Sequence, residues 1–225
     1  MYVIKAYYIL NIKLLSKDKL SFIWALLLPT IFVYSNKGNI QDILDLRFWW
    51  SYIIFSSYLF GIGIHMLRHK ESGTLKTFFS IKEARIPFFI ANLLTQITFS
   101  IICICLLNIL SCFIFSFDFI KLSINSIKLI WMSIPTAFLT AIITIIKKVH
   151  VNTVSTLAAM VSFIFLFLLS FKTNLNIFNP LLFLSNTIML KGIREYLLYA
   201  VVSIIFIVIG IVSIKKYSVI SNETR

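Results

Sequence analysis

Two histidines and three side-chain amides are the residues of this chain whose types and spacing could do chemistry. His65 and His69 stand four apart, the separation that puts two imidazoles on one helix face and could clamp a metal ion. No third ligand accompanies them, and their place at the end of an apolar block fits an interface pair better. Asn92, Gln96 and Asn108 lie inside one long apolar block, with Thr95, Thr98 and Ser100 close by. Polar side chains in such a block either line a translocation path or hydrogen-bond one helix to another, the second being worth ~0.6 kcal/mol per contact in a membrane. Both readings stand on the sequence alone.

Other chemistries find little here. Cys103, Cys105 and Cys112 share that same block in no paired metal-binding spacing and read as small buried hydrophobes. His150 sits in a short basic turn, and no Ser, His and Asp set recommends a hydrolase. The chain has no GxxxxGK[ST] loop to cradle nucleotide phosphates. Nor does any expected membrane segment carry an Asp or Glu in its interior: Asp118 and Glu195 fall at segment edges. A proton-coupled transporter built without a membrane carboxylate is hard to arrange, which leaves secondary transport as the weaker alternative. Anything moved uphill needs an engine outside this chain.

The elements that must position these residues follow from composition. Of 225 residues, 60% are hydrophobic and 13% charged, with a mean hydropathy of +0.96. A soluble domain is nearer ~45–50% apolar and ~25% charged, so lipid is the solvent for most of this chain. The apolar residues come in blocks of roughly 17 to 28, long enough to cross a ~30 Å hydrocarbon core as helix. We therefore expect an all-α polytopic membrane protein, a single transmembrane domain over 1–225 with six spans. Residues 1–19, broken by Lys5, Asn11 and Lys13, predict an interfacial helix. Lys5, Lys13, Lys17 and Lys19 with no small-residue cleavage site after them argue against a cleaved signal.

Spans one and two fall in 20–67, the first holding Pro29 over about Leu20 to Ser35, the second opening at Trp49 and Trp50 and ending near Leu67. Spans three to five fall in 86–171: Ile86 to Phe115, Ile127 to Ile146, and Thr153 to Phe171. The stretch 172–195 is mixed and broken at Asn179-Pro180, and 196–225 holds span six and a tail. Small residues four apart, Ser57 with Gly61, Ala137 with Ala141 and Ser155 with Ala159, let helices approach closely within one subunit.

The formal charge of +13 is distributed as topology signals between apolar blocks, without the aromatic-interleaved basic face of a nucleic-acid binder. With the amino terminus on side one, 14 of the 21 Lys and Arg residues fall on that side and 7 on the other. Both termini are expected on the cytoplasmic side.

The longest basic interruption, 68–85, carries the most information. Leu75, Phe78 and Phe79 fall at i, i+3 and i+4, so the residues after Gly73 predict a short amphipathic helix from Thr74 to about Ser80. Such a helix either lies on the membrane surface or docks into a groove of a cytosolic partner. RHKESGTLKTFFSI resembles the cytoplasmic segment of type-2 ATP-binding-cassette (ABC) transporter permeases, where an acidic residue precedes Gly-Thr-Leu; Glu71, Gly73, Thr74 and Leu75 match it. The likeness extends to the basic amino-terminal helix, Pro29 in the first span, six spans and a broken segment before the last.

The resemblance implies that 74–80 is a coupling helix, with Glu71, Gly73, Thr74, Leu75, Phe78 and Phe79 facing a cytosolic ABC ATPase subunit. It implies a second permease subunit around a shared path, on which Asn92, Gln96 and Asn108 are candidates, and an outer re-entrant segment around Phe178 to Arg194. ATP and Mg would belong to the partner, with no cofactor or metal in this chain and no catalytic residue. Small permeases of this kind resemble the membrane subunits of exporters for amphipathic or antimicrobial peptides, including phenol-soluble-modulin and bacteriocin-immunity systems. A peptide or toxin exporter is the expectation; the alternatives are a secondary transporter and a non-transporting scaffold or immunity protein.

Overall fold

The computed structural model describes residues 2–17, 19–79, 84–146, 149–169, 171, 173–174, 176 and 179–217, with the side chains of 17, 19–24 and 76–78 outside that description. The described residues are helical throughout their ordered elements and contain no strand. This is how a chain in hydrocarbon must satisfy its backbone.

Helix α1 (Tyr2–Lys17) is followed by α2 (Lys19–Ser35), which keeps Pro29 in its interior. Next comes a long rod, Ile43–Glu71, built from a 3-10 turn (Ile43–Leu46), α3 (Arg47–Tyr58), a π-helical segment (Leu59–Ile64) and α4 (His65–Glu71). The rod begins before Trp49 because Asp42 caps it: its carboxylate accepts from the Ile43 amide at 2.7 Å while Asp45 accepts from the Asp42 amide at 2.9 Å. Short α5 (Thr74–Phe79) leads to α6 (Arg85–Phe115), the longest helix, and α7 (Phe119–Met132) opens at Asp118, which accepts from the Ile120 amide.

The fourth expected span is bent. Helix α7 ends at Met132 and α8 (Ile134–Thr140), continued by a 3-10 turn to Ile145, leaves at 44°. The cause is Pro135, which has no N–H to give the preceding turn; the Thr136 amide bonds the Ser133 carbonyl, and the Met132 carbonyl accepts from the Tyr199 hydroxyl instead. Helix α9 (Val151–Leu168) starts two residues ahead of expectation, for a reason given below. Short α10 (Pro180–Asn186) precedes α11 (Ile193–Lys215).

Among the described residues, four helices are long and apolar enough to cross a membrane: Ile43–Glu71, Arg85–Phe115, Val151–Leu168 and Ile193–Lys215. Counting the bent α7–α8 pair as one span makes five. Leu157, Met160, Phe163 and Phe167 on α9 and Leu197, Val201, Ile204 and Val208 on α11 are exposed, an apolar surface suited to lipid rather than water. The fold is that of a multi-helix membrane-embedded protein.

The rod and α6 run antiparallel in a fixed register. Ser57 Oγ meets Ser100 Oγ at 2.6 Å, Gly61 lies against Gln96, and the His69 ring meets the Phe88 ring at 5.6 Å. Each step of one or two turns along one helix is matched on the other. A Cβ at Gly61 would stand 2.0 Å from Gln96 Cδ, so the Gln96 side chain occupies the space that glycine leaves open. Ala137 and Ala141 are fully buried, and Gly210 of α11 sits where a Cβ would be 2.5 Å from the Phe138 carbonyl. Gly61, Ala137, Ala141 and Gly210 thus serve packing within the chain, whereas Ser155 lines a cavity and Ala159 is exposed.

Candidate functional site

Two features stand out at the end of the bundle where α4 and α11 finish and α6 and α9 begin. The first is a clamp made by neighbouring residues at the foot of α4. Lys70 is buried, and its Nζ donates to the carbonyls of Thr144 and Ile146, both at 3.1 Å, at the end of the α8 limb. Glu71 accepts the Val151 amide at 3.2 and 3.3 Å on its two oxygens, and His150 Nδ1 lies 3.3 Å away. A cation therefore sits on the carbonyl end of one helix and a carboxylate on the amide end of the next, each matched to the helix dipole it faces. This cap is why α9 begins at Val151.

Beyond Glu71 the chain turns at Gly73, whose φ of +71 is a left-handed conformation open to glycine. Thr74 then starts α5, its hydroxyl donating to the His69 carbonyl at 3.2 Å. Leu75 is fully buried in the main core, and the Phe79 ring meets Phe88 edge-on at 6.0 Å. The apolar stripe of the predicted coupling helix seats it on its own bundle. The Phe78 side chain lies outside the described residues. Phe88 gathers three elements onto α6, since Tyr7, His69 and Phe79 each meet its ring edge-on. Tyr217 closes this end by donating its hydroxyl to the Met66 carbonyl, and burial pushes the Tyr217 phenol pKa well up. Arg85 Nη1 donates to the Lys215 carbonyl at 2.7 Å.

The second feature is a cavity of about 650 Å3 between α1, α2, the rod, α6 and α9, inside the ~300–1,000 Å3 range of ligand pockets. Asn92 and Gln96 line it, as do His65, Arg68 and His69. Asn11 of α1 donates to Asn92 Oδ1 at 2.7 Å, which leaves the Asn92 Nδ2 buried and without a partner; His65 Nδ1 is in the same state. His65 Nε2 and His69 Nε2 are 3.3 Å apart, and His69 Nδ1 meets the Thr74 hydroxyl at 2.8 Å. The π-helical segment contributes Phe60, Gly61 and Ile64 to the wall, the kind of local irregularity that recurs at functional sites.

Asn108 is elsewhere. It accepts from Trp50 Nε1 at 2.9 Å and donates to Ser126 Oγ at 3.2 Å, joining α3, α6 and α7 in a fully buried polar link. The structure therefore brings Asn92 and Gln96 together on one cavity and places Asn108 in a helix-to-helix tie. Lys70, His150 and Phe88 were not singled out as site residues by the sequence; only the basic character of 68–85 and 147–150 hinted at the clamp. Among the described residues no group of three or more His, Cys, Asp or Glu is arranged to hold a metal ion. No protein-family model, curated protein or solved structure matches this chain.

Proposed function

We propose that this chain is the permease subunit of an ABC exporter, driven by a separate cytosolic ATPase that holds the ATP and Mg. The observation that carries the reading is the Lys70–Glu71 clamp beside the Glu71-Ser72-Gly73-Thr74-Leu75 turn. A helix that is to transmit a partner's movement must be fixed to the spans it moves. Helix α5 is fixed in that way: Phe79 meets Phe88 of α6, Leu75 is buried in the main core, and its preceding residues grip the ends of α8 and α9. Six passes follow when Lys19–Ser35 is counted with the bent pair and the four long helices. Positive charge concentrated on the α4–α5 side supports a cytoplasmic location for that face and for both termini, in a bacterial cell membrane.

The cargo in this reading is an amphipathic or hydrophobic molecule, a peptide or toxin being the foremost class, passed between this subunit and a second copy or a sister permease. Co-purification of an ATPase with the tagged chain tests it. The expected result is a stable complex whose ATP hydrolysis continues in Glu71→Ala while transport is lost. Transport that collapses with the proton gradient while ATP is maintained would instead establish a secondary transporter.

A further inference from the structure

We propose that the cavity binds a single-chain amphiphile headed by a carboxyl group, a long-chain fatty acid, with the head held by Asn92, His65 and Arg68. The proposal concerns one isolated chain and stands apart from the exporter reading. Its geometry begins with the register of the rod against α6. His69 meets Phe88 and Gly61 meets Gln96, so His65 and Asn92, one turn from each, stand at the same level across the cavity. Each carries a buried nitrogen with no partner there.

The roles of these two nitrogens follow from the bonds behind them. In one arrangement the Thr74 hydroxyl donates to His69 Nδ1, His69 Nε2–H donates to His65 Nε2, and His65 Nδ1–H is offered to the cavity, where a carboxylate accepts from it; in the other the Thr74 hydroxyl donates to the His69 carbonyl, receives His69 Nδ1–H, and His69 Nε2 receives His65 Nε2–H. The second leaves a lone pair on His65 Nδ1. Asn92 is fixed the other way, its oxygen being taken by Asn11, so that Nδ2–H is offered. One acceptor and one donor at a common level match a group that has both. A carboxylic acid accepts from Asn92 through its carbonyl oxygen and donates its O–H to His65. Should the proton pass from that oxygen to Nδ1, the carboxylate accepts from the new N–H and from Asn92, and both nitrogens are matched. A phosphodiester has acceptors only and is matched in just the first of these arrangements, whereas a carboxyl group is matched in both.

Charge and shape favour the same ligand. Among the described residues no Asp or Glu lines the cavity, whereas Arg68, exposed and with no bonded partner among them, stands on its rim beside His69. The remaining wall is mainly apolar, including Leu14, Leu28, Phe60, Ile64 and Phe99, and suits a hydrocarbon tail. A cavity of about 650 Å3 is large enough for a polar head and an acyl chain.

The test uses the full chain alone in phosphatidylcholine nanodiscs, with no ATPase present, and measures equilibrium binding of radiolabelled palmitate and of its methyl ester. Saturable palmitate binding, about tenfold tighter than the ester, is expected. Arg68→Ala and Asn92→Asp should each weaken palmitate by about tenfold and leave the ester unchanged, the retained ester binding showing that the cavity persists. Lys128→Ala, on a residue that does not line the cavity, should change neither. Acid and ester bound equally, no saturable binding above bulk lipid, or palmitate binding unchanged in Arg68→Ala would each overturn the proposal. So would tighter competition by a hydrophobic peptide than by palmitate itself. Loss of ATPase co-purification, by contrast, would refute the exporter reading and leave this one standing.

Discussion

The carboxylate of Glu71 closes on the backbone amide of Val151, 80 positions further along the chain, at 3.2 Å. Val151 is the first residue of α9, so the last residue of the long rod supplies the cap that the fifth expected span needs at its amino end. Glu71→Ala removes both the acceptor and the negative charge from that helix terminus. Stability should fall by about 1 kcal/mol, with Glu71→Gln intermediate because the amide oxygen still accepts. Hydrogen exchange is the informative measurement, and early protection loss should be confined to the first turn of α9. Uniform loss across the chain would count against a local cap.

Lys70 makes the opposite bond to the other side of the same turn. Lys70→Met keeps the stem and removes the ammonium, so the Thr144 and Ile146 carbonyls lose their charged donor. Deleting one partner of a buried charged bond costs about 1–3 kcal/mol. Thermal unfolding in nanodiscs should therefore shift more for Lys70→Met than for Glu71→Gln. A double variant should cost less than the two singles together if the pair acts as one clamp across the turn.

Much of this architecture is legible in the sequence because hydrocarbon enforces it. Helical blocks, the break at Asn179-Pro180 and the glycine turn before Thr74 follow from hydropathy and from two residues with restricted or unusual backbone freedom. What is not legible is register. Asn92, Gln96 and Asn108 look alike in sequence, and only the antiparallel pairing with the rod puts the first two on a cavity and the third against Trp50. The stripe Leu75 and Phe79 likewise fits a partner's groove or the chain's own core, and periodicity does not say which. The bend at Ser133 was hidden for another reason. Pro135 sits within a continuous apolar run, and its effect depends on whether the break in the ladder is absorbed or opened.

Phe88 is the residue on which α1, α4 and α5 converge, through ring contacts of 5.3, 5.6 and 6.0 Å with Tyr7, His69 and Phe79. Phe88→Ala should cost about 3–5 kcal/mol, the usual range for emptying a buried aromatic site. The loss should be regional. Proteolysis near α5 and faster exchange in α1 are expected before any change in α9 or α11. Phe88→Leu, which refills most of the volume, should recover much of the stability without restoring the edge-on contacts. Equal behaviour of the two variants would mean that volume alone matters here.

Gly61 and Gly210 allow a sharper test, because an added methyl meets different kinds of neighbour at the two sites. At Gly61 it would lie 2.0 Å from Cδ of Gln96, the far end of a side chain that can swing aside. At Gly210 it would lie 2.5 Å from the Phe138 carbonyl oxygen, which moves only if α8 moves against α11. Gly61→Ala should therefore cost about 1–3 kcal/mol as an overpacked contact, and Gln96→Ala in the same chain should relieve most of it. Gly210→Ala should cost at least as much, and trimming Phe138 to Ala should not relieve it, since its Cβ, also at 2.5 Å, and its carbonyl form the obstacle. Unfolding of the paired variants distinguishes the cases. A relieved Gly210 variant, or a Gly61 variant indifferent to Gln96, would show that the helices are free to part. The register that sets His65 level with Asn92 would then lose its support.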